Sequence, residues 1–277
     1  MPSSVPVTDE AFRSRYGPAA LVTGGSQGIG EAFARELARR GLDLVLLSND
    51  GPELDRTARR IAADHGVTVR TARVDLARPD LLEVLDERTG ELEIGLLVCS
   101  AARSLVGRFL DQDVEEKMNA LDVNCRATLC LVHAFGRRMR ERGRGGVIIM
   151  TSLAGLHGAA LTSTYSATKA FDLVLGEALW EELRPCGVDV LSVCAGPTST
   201  PTWEAARPRP GGLLSPRVMQ AGDVVLEALD ALGRRPTVIA GRGNRLSSFL
   251  LGRLLTRSAA ARLVGRSVRS LFAHEDE

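Results

Sequence analysis

Tyr165-Ser166-Ala167-Thr168-Lys169 is the segment whose residue types and spacing most directly suggest chemistry. On a helix, positions i and i+4 share one face, so the phenol and the ammonium project together. A free phenol, with a pKa near 10, is a poor acid–base catalyst at neutral pH. Lowering it by about three units takes roughly 4 kcal/mol of preferential phenolate stabilisation, most of which a neighbouring cation can supply. The choice of cation is informative, because of 35 Lys and Arg residues only Lys117 and Lys169 are lysines. A compact ammonium also hydrogen-bonds vicinal hydroxyls, which a planar guanidinium does less well. Upstream, Ser152 closes the run Met150-Thr151-Ser152 and is placed to hold a carbonyl oxygen against the phenol. Asn124, in Asp122-Val123-Asn124, is expected to disturb its helix locally and to hold a water behind the lysine. Taken singly, a Tyr–Lys pair also reads as a solvated helix face, and Asn124 as a satisfied helix polar group.

A second cluster lies near the N-terminus, at Thr23-Gly24-Gly25-Ser26-Gln27-Gly28-Ile29-Gly30. It follows an apolar run and precedes a helical pattern. Glycines in that context permit a tight turn and let backbone N–H groups and a helix N-terminus approach a pyrophosphate. The spacing is G-x-x-x-G-x-G. About twenty residues on, where an acidic side chain would chelate a ribose 2′-hydroxyl, the chain has Ser48-Asn49-Asp50. Ser48 and Asn49 can donate to a 2′-phosphate, no Arg or Lys adjoins them in sequence, and Asp50 opposes that phosphate unless turned away. The choice between NAD and NADP stays open, with a slight lean to NADP. Asp75-Leu76, closing a third strand-like run, is placed to flank an adenine or simply to cap the strand.

The elements that must position these groups are legible in the hydrophobic pattern. Short apolar runs at 19–23, 43–47, 67–74, 94–99, 147–151, 188–194 and 237–240 read as strands. Helical patterns at 31–40, 52–64, 79–88, 111–142 and 165–183 separate them, and another ends at Leu232. The alternation predicts an α/β fold, a doubly wound parallel sheet with helices on both faces and ligands at the carboxyl ends of its strands. With neither an internal repeat nor a low-complexity linker, residues 1–277 read as a single domain.

Composition bounds the partners. A 44% hydrophobic and 25% charged chain of net charge +1 has no global pull toward nucleic acid. Five cysteines without a C-x-x-C pair argue for reduced thiols rather than a disulfide framework, and no metal site is expected. The polar segment before Tyr16 and the lack of a membrane-length apolar run predict a cytoplasmic, soluble protein.

From about residue 18 to 240 the chain resembles the short-chain dehydrogenase/reductase family. The matching pieces are Thr23 to Gly30, Asp75-Leu76, Asn124, Ser152, Tyr165-x-x-x-Lys169 and Cys194-Ala195-Gly196-Pro197 with Thr200. The resemblance implies a Rossmann-like sheet of about seven strands and a catalytic tetrad of Asn124, Ser152, Tyr165 and Lys169. It implies hydride transfer between nicotinamide C4 and a ketone or secondary-alcohol carbon, with Tyr165 as general acid and base. Cofactor contacts would come from Thr23, Gly24, Ser26, Gln27, Gly28, Ile29 and Gly30 in the loop. Others would come from Ser48, Asn49, Asp75, Leu76, Ser100, Tyr165, Lys169, Gly196, Thr198 and Thr200, the last at the nicotinamide carboxamide. A homodimer or homotetramer paired through the long helices is the corresponding expectation. Three departures stand out: Cys99-Ser100-Ala101-Ala102 replaces Asn-Asn-Ala-Gly, Ala195 replaces a proline, and neither Gln27 nor Asn49 is basic. A cofactor-binding scaffold without turnover is the alternative reading.

Substrate identity is expected in 153–164, in Arg103-Ser104 and in the Pro/Gly-rich loop 197–216, which reads as a lid. There Trp203, Arg207 and Arg209 either meet an aromatic or anionic substrate or form a packed tryptophan beside solvated charges, and His157 either joins the pocket or does not. A basic amphipathic helical extension at about 244–272 follows. Arg234 to Arg269 holds nine Arg and no acid. Its apolar face either packs on the domain or a partner subunit, meets an acidic carrier protein, or makes peripheral membrane contact as part of a reductase of lipophilic substrates.

Overall fold

A computed structural model describes residues 10–89, 91–206, 208 and 217–272. The strands are β1 (Ala19–Thr23), β2 (Asp43–Ser48), β3 (Val69–Arg73), β4 (Ile94–Cys99), β5 (Gly145–Ser152), β6 (Val188–Ala195), β7 (Thr198–Ser199), β8 (Met219–Gln220) and β9 (Thr237–Ile239). The helices are α1 (Glu10–Tyr16), α2 (Gly28–Arg39), α3 (Gly51–His65), α4 (Leu81–Thr89), α5 (Val114–Leu121) and α6 (Ala127–Arg142). They continue with α7 (Ser163–Leu183), α8 (Pro201–Ala205), α9 (Ala221–Ala231), α10 (Arg242–Leu254) and α11 (Arg257–Leu271).

Seven strands form one parallel sheet in the order β3-β2-β1-β4-β5-β6-β9. The order reverses between β1 and β4, and the crevice at their carboxyl ends is where an open α/β sheet binds ligands. β1, β4 and β6 are buried along their whole length, which is why they read as unbroken apolar runs rather than as alternation. One core packs α2, α3 and α9 on one sheet face (Phe33, Leu37, Leu46, Ile61, Val224). The other packs α4 and α6, with Leu179 and Leu183 of α7, on the opposite face (Leu81, Leu131, Phe135, Ile149, Val190). This is the Rossmann-like, doubly wound fold anticipated from the pattern.

Boundaries moved where capping, not periodicity, decides them. The 111–142 stretch starts at Val114 because Asp113 caps it, its side chain accepting from Glu115 N. It is interrupted at Asp122–Arg126 by a π-helical turn centred on Asn124, the disturbance expected there. Three elements had no sequence expectation: α1, α8 inside the 197–216 loop, and the β7–β8 ribbon. They are too short for a periodic signal. α1 is tied down by chemistry instead, since Tyr16 Oη donates to Asp189 Oδ2 at 2.7 Å and Arg15 Nε to the same oxygen at 2.6 Å.

Candidate active site

The glycine loop joins β1 to α2 as predicted. A Cβ on Gly30 would sit 2.1 Å from the Gly24 carbonyl oxygen, so no side chain fits there. Gly24 and Gly28 have φ of +67° and +63°, the left-handed region that favours glycine. Gln27 occupies the N-cap of α2 without a side-chain cap bond, so the first-turn N–H groups point out of the loop. A diphosphate fits this cradle: a left-handed turn and an uncapped helix N-terminus combine donors with a positive dipole end. Ile29 packs on the core beneath. Thr200 closes the other side, its Cγ2 lying 3.1 Å from where a Gly28 Cβ would stand. Its hydroxyl meanwhile caps α8 by accepting from Trp203 N at 3.2 Å.

Thr23 ties the Cys99-Ser100-Ala101-Ala102 segment to the glycine loop. Its Oγ1 accepts from both Ser100 N and Ala101 N at 3.0 Å, locking the end of β4 to the end of β1. Thr198 Oγ1 donates to Gly196 O at 3.0 Å, fixing the turn after β6. Gly196 leaves room for α10, because a Cβ there would meet Asn244 Nδ2 at 2.6 Å.

At the end of β2, the Oγ atoms of Ser26 and Ser48 lie 3.0 Å apart. Asp50 is turned into its own helix, its Oδ1 accepting from Glu53 N as the cap of α3. No Arg or Lys adjoins Ser48 and Asn49 in sequence, but the sheet register brings one from β3. Arg73 pairs with Ser48 across β2 and β3, and its Nε donates to Asn49 O at 3.2 Å. Its stem lies over Gly51. Only tertiary pairing brings Arg73 to this turn, so sequence adjacency gave no signal for it. Asp75 makes the strand-end turn, its Oδ1 accepting from Ala77 N. Leu76 is buried beside it, under a loop whose carbonyls at Leu76, Ala77 and Arg78 accept from Arg126.

Tyr165 and Lys169 stand one turn apart on α7, which packs along β5 and β6. Two features bring α7 onto the end of β5. Thr151 Oγ1 donates to Lys169 O at 2.8 Å, and Gly155 lets the turn at 153–155 approach so closely that a Cβ there would meet Lys169 backbone at 2.7 Å. Ser152 ends β5 on this side, and its Oγ accepts from Ala154 N at 3.1 Å. That bond uses the hydroxyl as acceptor only.

Lys169 is buried, and its Nζ donates to Met150 O at 2.7 Å and to Asp172 Oδ2 at 2.9 Å. Burial pulls its pKa down, but the Asp172 carboxylate and then Tyr165 outweigh that and hold it above the ordinary lysine range. Asp172 was not singled out from sequence, although it sits at i+3 from Lys169 on the same helix.

Asn124 is fully buried in the π-turn. Its Nδ2 donates to Arg103 O and to Thr168 Oγ1, both at 2.9 Å, and its Oδ1 accepts from Arg103 N at 2.7 Å. Its carbonyl accepts from Thr128 Oγ1 at 2.8 Å. The amide therefore clamps the segment after β4 to α7.

On the substrate side, Trp203 packs edge-on against Phe272 at 6.4 Å, in a small apolar cluster with Val106, Leu161, Val268 and Leu271. The tryptophan is a packing residue, as its plainer reading had it. Arg207 and Arg209 lie outside the described residues. His157, half-buried, is pushed below the usual histidine range by burial and by the nearby Arg257. The extension splits in two. α11 packs its apolar face on Ala160 and Leu161, whereas α10 leaves Leu246, Phe249, Leu250 and Leu254 exposed. No helix among the described residues is long and apolar enough to cross a membrane.

A model of the short chain dehydrogenase family matches residues 18–211. A 7β-hydroxysteroid dehydrogenase of Clostridium sardiniense is 32% identical over 234 residues, spanning 84% of this chain and 89% of that enzyme. A structure solved for insight into 7β-hydroxysteroid dehydrogenase stereoselectivity superposes with a TM-score of 0.86 at 28% identity, covering 92% of this chain and 99% of that one. A short-chain dehydrogenase from Sphingobium yanoikuyae in complex with NADPH superposes with a TM-score of 0.74 at 32% identity, covering 86% and 94%. With the uncapped glycine loop at the end of β1 and the Tyr165–Lys169 pair beside the end of β5, these likenesses lead to one conclusion. The chain belongs to the short-chain dehydrogenase family and is an NAD(P)-dependent oxidoreductase that transfers hydride between nicotinamide and a ketone or secondary alcohol.

Proposed function

We propose that this enzyme reduces a bulky alicyclic ketone, and in reverse oxidises the corresponding secondary alcohol, with NADP as the preferred cofactor and Tyr165 as the proton donor. The observation that carries the reading is the placement of Tyr165 and Lys169 on α7 against the end of β5, on the same sheet edge as the glycine loop. When bound, the nicotinamide supplies the hydride.

The protein's own groups do the rest. Loop N–H groups of 24–30 bind the diphosphate, Asp75 and Leu76 flank the adenine, and Ser100, Gly196, Thr198 and Thr200 line the nicotinamide end. Ser26, Ser48, Asn49 and Arg73 hold the 2′-phosphate, an assignment supported by Asp50 being committed to capping α3. Ser152 donates to the substrate oxygen, Tyr165 gives that oxygen its proton, and Lys169 stabilises the phenolate left behind. Gln27 and Ile29 shape the loop without touching the reacting atoms.

Substrate size is supported by the hydroxysteroid dehydrogenases the chain is similar to. The whole chain works as one domain in the cytoplasm. It pairs with a second copy through α5, α6 and α7, whose Met118, Leu121, Leu129, Phe171 and Val174 are exposed. The assay is NADPH oxidation with a rigid polycyclic ketone set against a short linear ketone. A preference for the polycyclic ketone of tenfold or more in kcat/KM is expected on the order of 1.4 kcal/mol. Equal turnover of both would remove the substrate reading.

A second reading has one observation behind it. The exposed apolar row of α10 carries Arg242, Arg245 and Arg253 on the same helix, as an interfacial helix would. Co-sedimentation with anionic vesicles, lost when Arg242, Arg245 and Arg253 are replaced, is its test.

A further inference from the structure

A buried hydroxyl beneath the glycine loop belongs neither to the loop nor to the acid–base pair. α3 turns an apolar stripe inward at Leu54, Ala58 and Ile61, and Thr57 stands on that stripe, fully buried. A hydroxyl in such a layer is costly unless it is hydrogen-bonded, so a polar residue at this position asks for a reason. Its partner lies on another element. Thr57 Oγ1 donates to the Ser26 carbonyl oxygen, 31 residues upstream, at 2.9 Å.

Ser26 is itself buried, and its Oγ lies 3.0 Å from the Oγ of the more open Ser48. Ser48 Oγ accepts from Asp50 N at 3.2 Å, and Asp50 caps α3. α3 therefore reaches the two serines from both sides, through Asp50 at its start and through Thr57 two turns on. The residues flanking Ser26 are held by other bonds. Gly25 N donates to Leu47 O at 3.1 Å, and Gln27 O accepts from Glu31 N at 3.2 Å. Thr57 thus governs the Ser26 carbonyl and leaves the glycine turn and the first turn of α2 to their own contacts.

We propose that Thr57 is a positioning residue for cofactor choice: by anchoring the Ser26 carbonyl it keeps the Ser26 and Ser48 hydroxyls together at the turn that takes the adenosine 2′-phosphate. This rests on reading that turn, with Arg73, as the 2′-phosphate site, and extends the reading to what holds the turn in shape. Groups already fixed where a ligand needs them lose little freedom on binding, whereas groups that must first be drawn into place weaken it. The effect is selective because hydrogen bonds to a charged phosphate are about twice as strong as those to the neutral 2′-hydroxyl that NADH presents there. Both cofactors share the diphosphate, whose donors lie on backbone that Thr57 does not hold.

Calorimetric Kd values for NADPH and NADH test this in wild type, Thr57→Val, Thr57→Ser and Arg73→Gln. Thr57→Val keeps the apolar packing and sets a methyl against the Ser26 carbonyl in place of the donor. Its Kd for NADPH is expected to rise about fivefold, and that for NADH to change by less than about twofold. Thr57→Ser retains the hydroxyl and is expected to stay within about twofold of wild type for both. A purely structural threonine would lower the melting temperature and leave the ratio of the two Kd values unchanged. An unchanged ratio in Thr57→Val, or the same loss in Thr57→Ser, therefore overturns the inference. Selective loss in Arg73→Gln without one in Thr57→Val overturns it alone, whereas no selective loss in either variant removes the 2′-phosphate reading with it. Thr57→Ala, which also lacks the donor, is read in the same way should the valine variant fold poorly.

Discussion

Replacing Asn124 by alanine separates a structural clamp from a solvent-holding group. Three hydrogen bonds of the Asn124 side chain, two to the Arg103 backbone and one to Thr168 Oγ1, are lost together. At about 1 kcal/mol net for each, the loss is about 3 kcal/mol. The exposed Arg103 backbone can turn to water, so no large desolvation penalty is added. At roughly 2 cal/mol/K of unfolding entropy per residue, a chain this long melts about 5 °C lower for that loss. Differential scanning calorimetry measures it. Thr168→Val removes one of the three bonds, so the double-mutant cycle with Asn124→Ala should show a coupling of about 1 kcal/mol. A melting temperature within 1 °C of wild type, or additivity in the cycle, would refute the clamp.

Two further outcomes follow from the same geometry. Arg73→Gln should weaken NADPH binding about tenfold, roughly 1.4 kcal/mol, and leave NADH binding unchanged; equal loss for both would remove Arg73 from the 2′-phosphate. Stability should fall as pH rises above about 8.5, where unfolded thiols ionise. Burial holds the thiols of Cys99, Cys125 and Cys194 up, Cys125 to about 11 and Cys194 to about 12. The unfolded chain then binds fewer protons than the folded one, at about 1.4 kcal/mol per pH unit for each such group. Cys194→Ala should flatten the slope by that amount in urea titrations at increasing pH; an unchanged slope would contradict the burial effect.

What the sequence shows and hides follows from which interactions are local. The glycine loop and the Tyr165–Lys169 spacing are readable because a turn and a helix bring their members together within eight residues. A local disturbance at Asn124 was expected from an amide inside a helix, although its side chain bonds Arg103 and Thr168 rather than its own helix backbone. Arg73 was hidden because the β2–β3 register, not the chain, places it beside Ser48. Asp172 lay in plain view three residues after Lys169. An exposed i,i+3 ion pair is ordinary, however, and only burial of the pair gives it consequence. The bonds of Thr23 to the backbone after β4 are likewise contacts between strands far apart in sequence. Likewise, periodicity alone could not say that α11 would pack and α10 would leave its apolar row exposed, because both helices are amphipathic.

The central claim is that the Tyr165 phenol carries the proton in hydride transfer, and Tyr165→Phe tests it most directly. The variant should bind NADPH as wild type does, followed by energy transfer from Trp180 and Trp203 and confirmed by calorimetry. Its rate of NADPH oxidation with the preferred ketone should fall about a thousandfold. Retained turnover within tenfold, with cofactor binding intact, would contradict the account.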